Sequence, residues 1–186
     1  MRKINAILGP LLIVLLLIHV IWGSFQLTSL VPGGSVIRKI LSYVMVCAVL
    51  LHIIIGIRLT ADTITAARRS GTSYFKGNEL FWIRRISGLA MIILIIYHVM
   101  IFTGSSGEAF RLHTFGIIQL AGSILLAAVL IIHLAVNIRP LCIALGIADR
   151  KYVKDVIIVL SIIMLLAAAA FVFYYLRWNY FWRYGG

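Results

Sequence analysis

Long apolar runs separated by short polar segments dominate the chain. Five runs are long enough for transmembrane helices, because about 20 apolar residues at about 1.5 Å per residue cross a hydrocarbon core about 30 Å thick. These runs cover residues 7–27, 40–59, 83–102, 112–138 and 156–176. The pattern predicts an all-α membrane protein with five transmembrane helices, in which residues 1–186 form a single transmembrane domain.

Turn-forming and charged residues lie between the runs. We predict a Pro-Gly-Gly turn at 31–34, a polar arm at 62–77, a Gly-Ser-Ser-Gly turn at 104–107 and a charged turn at 149–155. None of these segments is long enough to form a second domain.

The composition agrees with this pattern. Of the 186 residues, 63% are hydrophobic and 12% are charged, and the mean hydropathy is +1.10. A soluble domain is typically about half apolar and about a quarter charged, so a soluble fold, a disordered chain and a disulfide scaffold are excluded. The two cysteines, Cys47 and Cys142, lie in or beside separate apolar runs, which also argues against a disulfide framework.

The net charge of +12 is largely a topology signal, because basic residues concentrate at the cytoplasmic ends of transmembrane helices. With the N-terminus in the cytoplasm, the inner segments carry most of the basic residues: Arg2, Lys3, Arg58, Arg68, Arg69, Lys76, Arg84, Arg85, Arg139, Arg150, Lys151 and Lys154. The outer segments carry the rest: Arg38, Lys39, Arg111, Arg177 and Arg183. We therefore predict a cytoplasmic N-terminus and an external C-terminus. A cleaved signal peptide is the competing interpretation of the first 30 residues, and the length of the first apolar run argues against it.

Each of the first four apolar runs contains one histidine. Ionisable side chains are costly in hydrocarbon, so each of the four is a functional candidate, although a histidine can also simply bond a neighbouring helix. His19 lies 14 residues beyond Asn5 and His98 lies 14 residues beyond Arg84, about 21 Å along a helix from its cytoplasmic end. His52 and His133 lie six residues before an arginine at the inner end of theirs, about 9 Å. The depths predict an outer pair, His19 with His98, and an inner pair, His52 with His133, about 12 Å apart.

The first two runs resemble a degenerate copy of the next two. A small residue precedes each histidine by ten positions: Gly9, Ser42, Gly88 and Ser123. In addition, Ser87 lies on nearly the same helix face as His98, about 20° away, but at the depth of the inner pair. Gly122 is related to His133 in the same way, at the depth of the outer pair. These small residues predict room for a bulky, flat cofactor at each level.

Two histidines from separate helices complete the ligand set of a haem iron, whereas zinc usually takes four protein ligands. Copper stays open on ligand count alone. Because the sequence has no Cys-x-x-Cys-His motif, covalent c-type attachment is excluded. We therefore expect two b-type haems with bis-histidine ligation and an electron-transfer role. The candidate partners of the inner haem propionates are Arg58, Arg84, Arg85 and Arg139.

Two motifs carry a resemblance to a known family. Trp82-Ile-Arg-Arg-Ile-Ser-Gly88 opens the third run, and His133-x-x-x-Asn-Ile-Arg139-Pro-Leu-x-x-x-Leu-Gly146 closes the fourth. With one histidine per helix, they resemble the five-helix dihaem cytochrome b subunit of succinate:quinone oxidoreductases, including quinol:fumarate reductases. The resemblance covers nearly the whole chain, and the pairing of first with third and second with fourth helix in that family agrees with the depth pairing.

The resemblance implies a multi-pass anchor in a bacterial-type cytoplasmic membrane. It implies a flavoprotein and an iron-sulfur protein bound at the cytoplasmic face, and menaquinone or ubiquinone as the exchange partner for electrons. The chain itself is then expected to hold no catalytic residue for succinate or fumarate chemistry, and no nucleic acid is expected as a partner.

The same resemblance suggests quinone contacts. Related anchors use an Arg and a Ser near the inner haem, which corresponds to Arg85 and Ser87 here, with Asp62 as a looser match. Thr63 stands where some members carry a quinone-contacting Tyr. A pocket near the outer haem is the alternative, and its polar candidates are Gln26, His113 and Glu108.

Two other functions stay open at this point. One is the haem b anchor of a different respiratory complex, such as nitrate reductase, formate dehydrogenase or hydrogenase. The other is a histidine-dependent secondary transporter or proton channel. The optical spectrum of the reduced protein separates the haem functions from the transporter.

Overall fold

The computed structural model describes residues 2–32, 35–71, 78–103, 115–147 and 149–182. Its five α-helices are α1 (Arg2–Leu27), α2 (Val36–Arg69), α3 (Glu79–Phe102), α4 (Ile117–Ala144) and α5 (Arg150–Leu176), and a π-helical segment, Arg177–Trp182, continues α5. No strand occurs in these ranges. All five α-helices are long and apolar enough to cross a membrane, which confirms the prediction of an all-α, multi-pass membrane protein with five spans.

Two helices extend past the apolar runs into the polar segments predicted between them. The first half of the polar arm at 62–77 is helical, because α2 ends only at Arg69. Likewise α5 begins inside the charged turn predicted at 149–155, where the Asp149 carboxylate accepts a 2.8 Å hydrogen bond from the Lys151 amide and caps the helix. An apolar run marks the part of a helix that crosses the membrane. The helix extends beyond that run where polar residues with high helix propensity follow.

Pro140 lies inside α4 instead of beyond its end, so α4 extends past the predicted end at 138 to Ala144. Proline has no amide hydrogen, and the carbonyl four residues earlier in the helix, that of Val136, therefore loses its usual donor. Arg84 of α3 replaces that donor, because its Nε donates a 3.0 Å hydrogen bond to the Val136 oxygen. The bond preserves the helix through the proline and ties α3 to α4.

We call the side at which α1 begins the N-terminal side and the opposite side the C-terminal side. Among the described helices, α4 packs along α3 and α5, α5 also packs along α1, and α2 packs against α1 alone. A buried cluster on the C-terminal side consists of Leu27, Phe115 and Ala170. A second cluster on the N-terminal side consists of Ile138, Cys142, Val153 and Leu160.

The outward faces of the helices are apolar. Ile7, Ile93 and Met100 are 73%, 65% and 72% exposed, as expected for side chains that contact lipid. Helix α2 is the extreme case, since Ile55 and Ala67 are its buried side chains over its fully described length. The helix that carries His52 is therefore held mainly by one neighbour.

Candidate functional site

The outer pair, His19 of α1 and His98 of α3, meets in the half of the molecule nearer the C-terminal side. The two ring centroids lie 6.1 Å apart and the ring planes are inclined by 72°. Both side chains are partly buried. The helices themselves stay apart, since no Cα of α1 lies within 8 Å of a Cα of α3. The rings thus approach each other across a space between helices.

The ring separation of the outer pair fits a metal held between two imidazoles. A ligating ring nitrogen lies about 2 Å from such a metal and the ring centre about 1 Å further, which separates the two centroids by about 6 Å. Ordinary edge contacts of aromatic rings cover the same range. However, Nδ1 of His98 is buried and has no hydrogen-bond partner among the described atoms. A buried polar nitrogen without a partner is costly, so the ring suits a site that gains a ligand.

Aromatic side chains surround the outer pair. The His98 ring lies 4.7 Å from Phe102 and 6.4 Å from Phe171, between centroids, and Phe171 stacks on Phe115 with an interplanar angle of 10°. These ring contacts orient His98. No pattern in the sequence indicates these contacts, because they depend on how α3, α4 and α5 are rotated against one another.

The predicted room beside Gly122 is taken by a side chain of the protein. A Cβ atom added to Gly122 of α4 would overlap the ring of Tyr97 from α3. Tyr97 directly precedes His98, and successive residues on a helix point about 100° apart, so one ring faces α4 while the next faces α1. Gly122 therefore permits close packing of α3 on α4 next to the outer pair.

The inner pair, His52 of α2 and His133 of α4, lies within electrostatic reach of each other. Arg85 of α3 lies within electrostatic reach of both rings. In the described part of the chain no Cα of α2 comes within 8 Å of a Cα of α4, so this pair also spans separated helices. Nδ1 of His52 is buried and has no hydrogen-bond partner in the same ranges.

A serine hydroxyl holds the His133 ring. Ser87 Oγ of α3 lies 3.0 Å from Nδ1 of His133 and 3.3 Å from the carbonyl oxygen of Arg84, to which it donates. Ser87 is only 6% exposed. The neighbouring Gly88 allows the ring to pack against α3, since a Cβ there would lie 3.5 Å from Cε1 of His133. Nε2 is then the ring nitrogen that is left for a ligand.

The four predicted propionate partners differ in their surroundings. Arg84 bonds the Val136 carbonyl, and Arg58 and Arg139 are exposed. Arg85 is partly buried, and its guanidinium carbon lies 4.9 Å from the centre of the Phe81 ring. Arg85 is close enough to both histidines of the inner pair for its charge to act on them.

The predicted quinone contacts lie in three places. Arg85 and Ser87 lie beside the inner pair, as described above. Asp62 is exposed about 15 Å along α2 from His52 and lines a surface groove with Thr65, Ala66, Arg69 and Ser70. Gln26 is partly buried at the end of α1 on the C-terminal side. His113 and Glu108 lie outside the described residues.

Sequence reasoning missed the polar tie between α3 and α4, although the sequence contained a signal for it. Pro140 lies two residues beyond the fourth apolar run, and a helix that continues through it has an unpaired carbonyl four residues earlier, while Arg84 is a donor at the same depth on the preceding helix. The aromatic surroundings of His98 had no comparable signal.

Within the described ranges, no three His, Cys, Asp or Glu side chains lie close enough to hold a metal ion together. Cys47 and Cys142 are both free thiols. Comparisons with protein-family models, with curated proteins and with solved structures gave no match. The functional interpretation consequently rests on the residues and their geometry.

Proposed function

We propose that the protein is the membrane-anchor cytochrome b subunit of a succinate dehydrogenase or fumarate reductase complex. The observation that carries the proposal is the outer pair: two partly buried imidazole rings from separate helices, with centroids 6.1 Å apart and no backbone contact between the helices. His19 and His98 would ligate an outer b haem, and His52 and His133 an inner one. Bound haem supplies reversible one-electron transfer.

The surroundings of each pair suit such a cofactor. Arg85 brings a positive charge to the inner pair, where an anionic propionate would be neutralised. Phe102 and Phe171 give the outer pair an apolar wall that keeps water out. Two histidines would hold each haem iron and would leave no position for oxygen, so transfer of electrons is the role that these residues support.

The two levels, about 12 Å apart in depth, would carry electrons across much of a hydrocarbon core about 30 Å thick. The excess of basic residues on the N-terminal side supports a cytoplasmic location for that side. In this topology the inner pair is the one nearer the flavoprotein and iron-sulfur partners. Quinone would then exchange electrons at Arg85 beside the inner pair, at the groove of Asp62 about 15 Å along α2 from His52, or at Gln26 near the outer pair.

The test is to express the full chain in a bacterium supplied with a haem precursor and purify it in mild detergent. We expect a b-type α band in the reduced-minus-oxidised spectrum and two haems per chain by pyridine haemochrome analysis. The matched control is the double variant His98→Ala, His133→Ala, which should contain no haem. A wild-type chain without haem would overturn the proposal and favour a histidine-dependent transporter.

The proposed partners are tested separately, by expressing the chain together with the proteins encoded beside it. We expect a flavoprotein and an iron-sulfur protein to copurify with the chain. A haem-containing chain that copurifies instead with a molybdenum or nickel enzyme would assign it to another respiratory complex.

A further inference from the structure

We infer that Ser87 is a positioning residue that fixes the proton of His133 on Nδ1 and so presents Nε2 to the inner haem iron. The inference rests on the proposed function for its haem, but the state of the His133 ring is a property of the chain alone. It differs from the quinone contact that the sequence suggested for Ser87.

Two atoms lie within hydrogen-bond distance of the Ser87 hydroxyl. A serine hydroxyl has one proton to donate and two lone pairs to accept with. The Arg84 carbonyl oxygen, at 3.3 Å, can only accept, whereas Nδ1 of His133, at 3.0 Å, donates in one of its two tautomers. We assign the Ser87 proton to the carbonyl, so that Ser87 accepts from Nδ1. The His133 proton then lies on Nδ1, and the lone pair of Nε2 is free.

The bond also fixes the orientation of the ring. Ser87 belongs to α3 and His133 to α4, and Arg84 ties the same two helices through the Val136 carbonyl. Since Ser87 is 6% exposed, water has little access to compete for Nδ1. By contrast, Nδ1 of His52 has no partner among the described atoms, so the two ligands of the inner site are held unequally.

An acceptor on the second ring nitrogen makes a histidine a more basic ligand and commonly contributes about 10- to 100-fold to metal affinity. A more basic ligand stabilises the oxidised iron. Ser87 should therefore lower the reduction potential of the inner haem as well as raise its affinity.

The first experiment needs no haem. The chain is labelled with ¹⁵N-histidine, prepared without haem in lipid nanodiscs, and its imidazole nitrogens are measured by solid-state NMR, with the His133 signals assigned by their loss in His133→Asn. We expect wild-type His133 to be protonated on Nδ1 and Ser87→Ala to show a mixture of tautomers. Protonation on Nε2 in the wild type, or an unchanged tautomer in Ser87→Ala, would overturn the inference.

The second experiment uses the haem-loaded protein and three variants. In Ser87→Ala we expect the inner haem affinity to fall about 10- to 100-fold and its midpoint potential to rise, and Ser87→Thr, which keeps the hydroxyl, should restore both. Ser123→Ala is the matched control, because Ser123 is also buried, at 2% exposed, but its hydroxyl donates to the Gln119 carbonyl of its own helix.

The two experiments separate the inference from the proposed function. A potential that does not move in Ser87→Ala, or equal losses in Ser87→Ala and Ser87→Thr, would reduce Ser87 to a packing residue. A chain that binds no haem but shows the Ser87-dependent tautomer would contradict the proposed function and leave the orientation of His133 established.

Discussion

The outer and inner histidine pairs are held by different kinds of contact. The His98 ring lies among aromatic side chains, 4.7 Å from Phe102 and 6.4 Å from Phe171. The His133 ring lies against the Ser87 hydroxyl at 3.0 Å, with the Arg85 charge within reach. Shape therefore orients the outer pair, whereas hydrogen bonding and charge orient the inner pair.

The difference follows from depth. The inner pair lies close to helix ends at which arginines occur, and a charge near an interface costs far less than one at the centre of the membrane. Arg84 and Arg85 can therefore take part in the inner site. The outer pair lies farther from such residues along α1 and α3, and there aromatic packing supplies orientation without a charge.

The largest expected effect is the loss of one haem on removal of either member of a pair. We expect His19→Ala and His98→Ala to lose the same haem, and His52→Ala and His133→Ala to lose the other, because each iron needs both axial ligands. Haem content and low-temperature spectra of the four variants measure this. Loss of different haems from His19→Ala and His98→Ala would refute the pairing, and His113→Ala serves as the control that keeps both.

Next in size is the tie between α3 and α4 near the inner pair. Arg84→Leu leaves the Val136 carbonyl without a donor and should lower the free energy of unfolding by about 1 to 3 kcal/mol. Chemical unfolding in detergent micelles measures the change. In the Pro140→Ala background the helix regains its own amide donor, so Arg84→Leu should then cost much less. An equal cost in both backgrounds would show that the bond to Val136 does not matter.

The outer pair should respond most to added volume. Gly122→Ala forces the Tyr97 ring away from α4 and should destabilise the protein by about 1 to 3 kcal/mol while lowering occupancy of the outer haem. Thermal unfolding and haem content report the two effects. The control is Gly23→Ala, since in the described part of the chain no atom apart from the adjacent residues and the backbone of α1 itself lies within 4 Å of the Cβ position of Gly23. If Gly122→Ala loses the inner haem instead, our placement of Gly122 beside the outer pair is wrong.

The smallest expected effect concerns the aromatic wall of the outer pair. Phe171→Leu removes ring contacts to His98, Phe102 and Phe115 and should cost about 0.5 to 1.5 kcal/mol beyond the lost area. Phe173→Leu on the same helix is the matched control, because that ring is 49% exposed. Unfolding in micelles compares the two variants. Equal effects would mean that the wall adds nothing specific.

The five spans could be predicted from the sequence because hydrocarbon demands an uninterrupted apolar run of fixed length. The ends of the helices could not, since α2 and α5 continue in polar residues that favour a helix in water as well. The depth of each histidine in the membrane could also be predicted from the sequence, because it follows from counting residues along the helix. That count suggested the partners His19 and His98, whose rings lie together in the structure.

Contacts between helices were harder to predict from the sequence, because they depend on how each helix is rotated about its axis. Ser87 was expected at the inner level, but its bond to His133 required the actual rotation of α3 against α4. Gly122 was expected to leave room for a cofactor, and the space holds the Tyr97 ring. A small residue indicates that something packs closely, and only the structure identifies what does.

The bond from Arg84 to the Val136 carbonyl has a consequence for how the sequence can evolve. A lineage that replaced Arg84 while keeping Pro140 would retain a gap in the hydrogen bonding of α4, and one that replaced Pro140 would release Arg84 from its present partner. Positions 84 and 140, which lie on different helices, should therefore change together in descendants of this protein. An alignment of such descendants should show the two residues inherited as a pair.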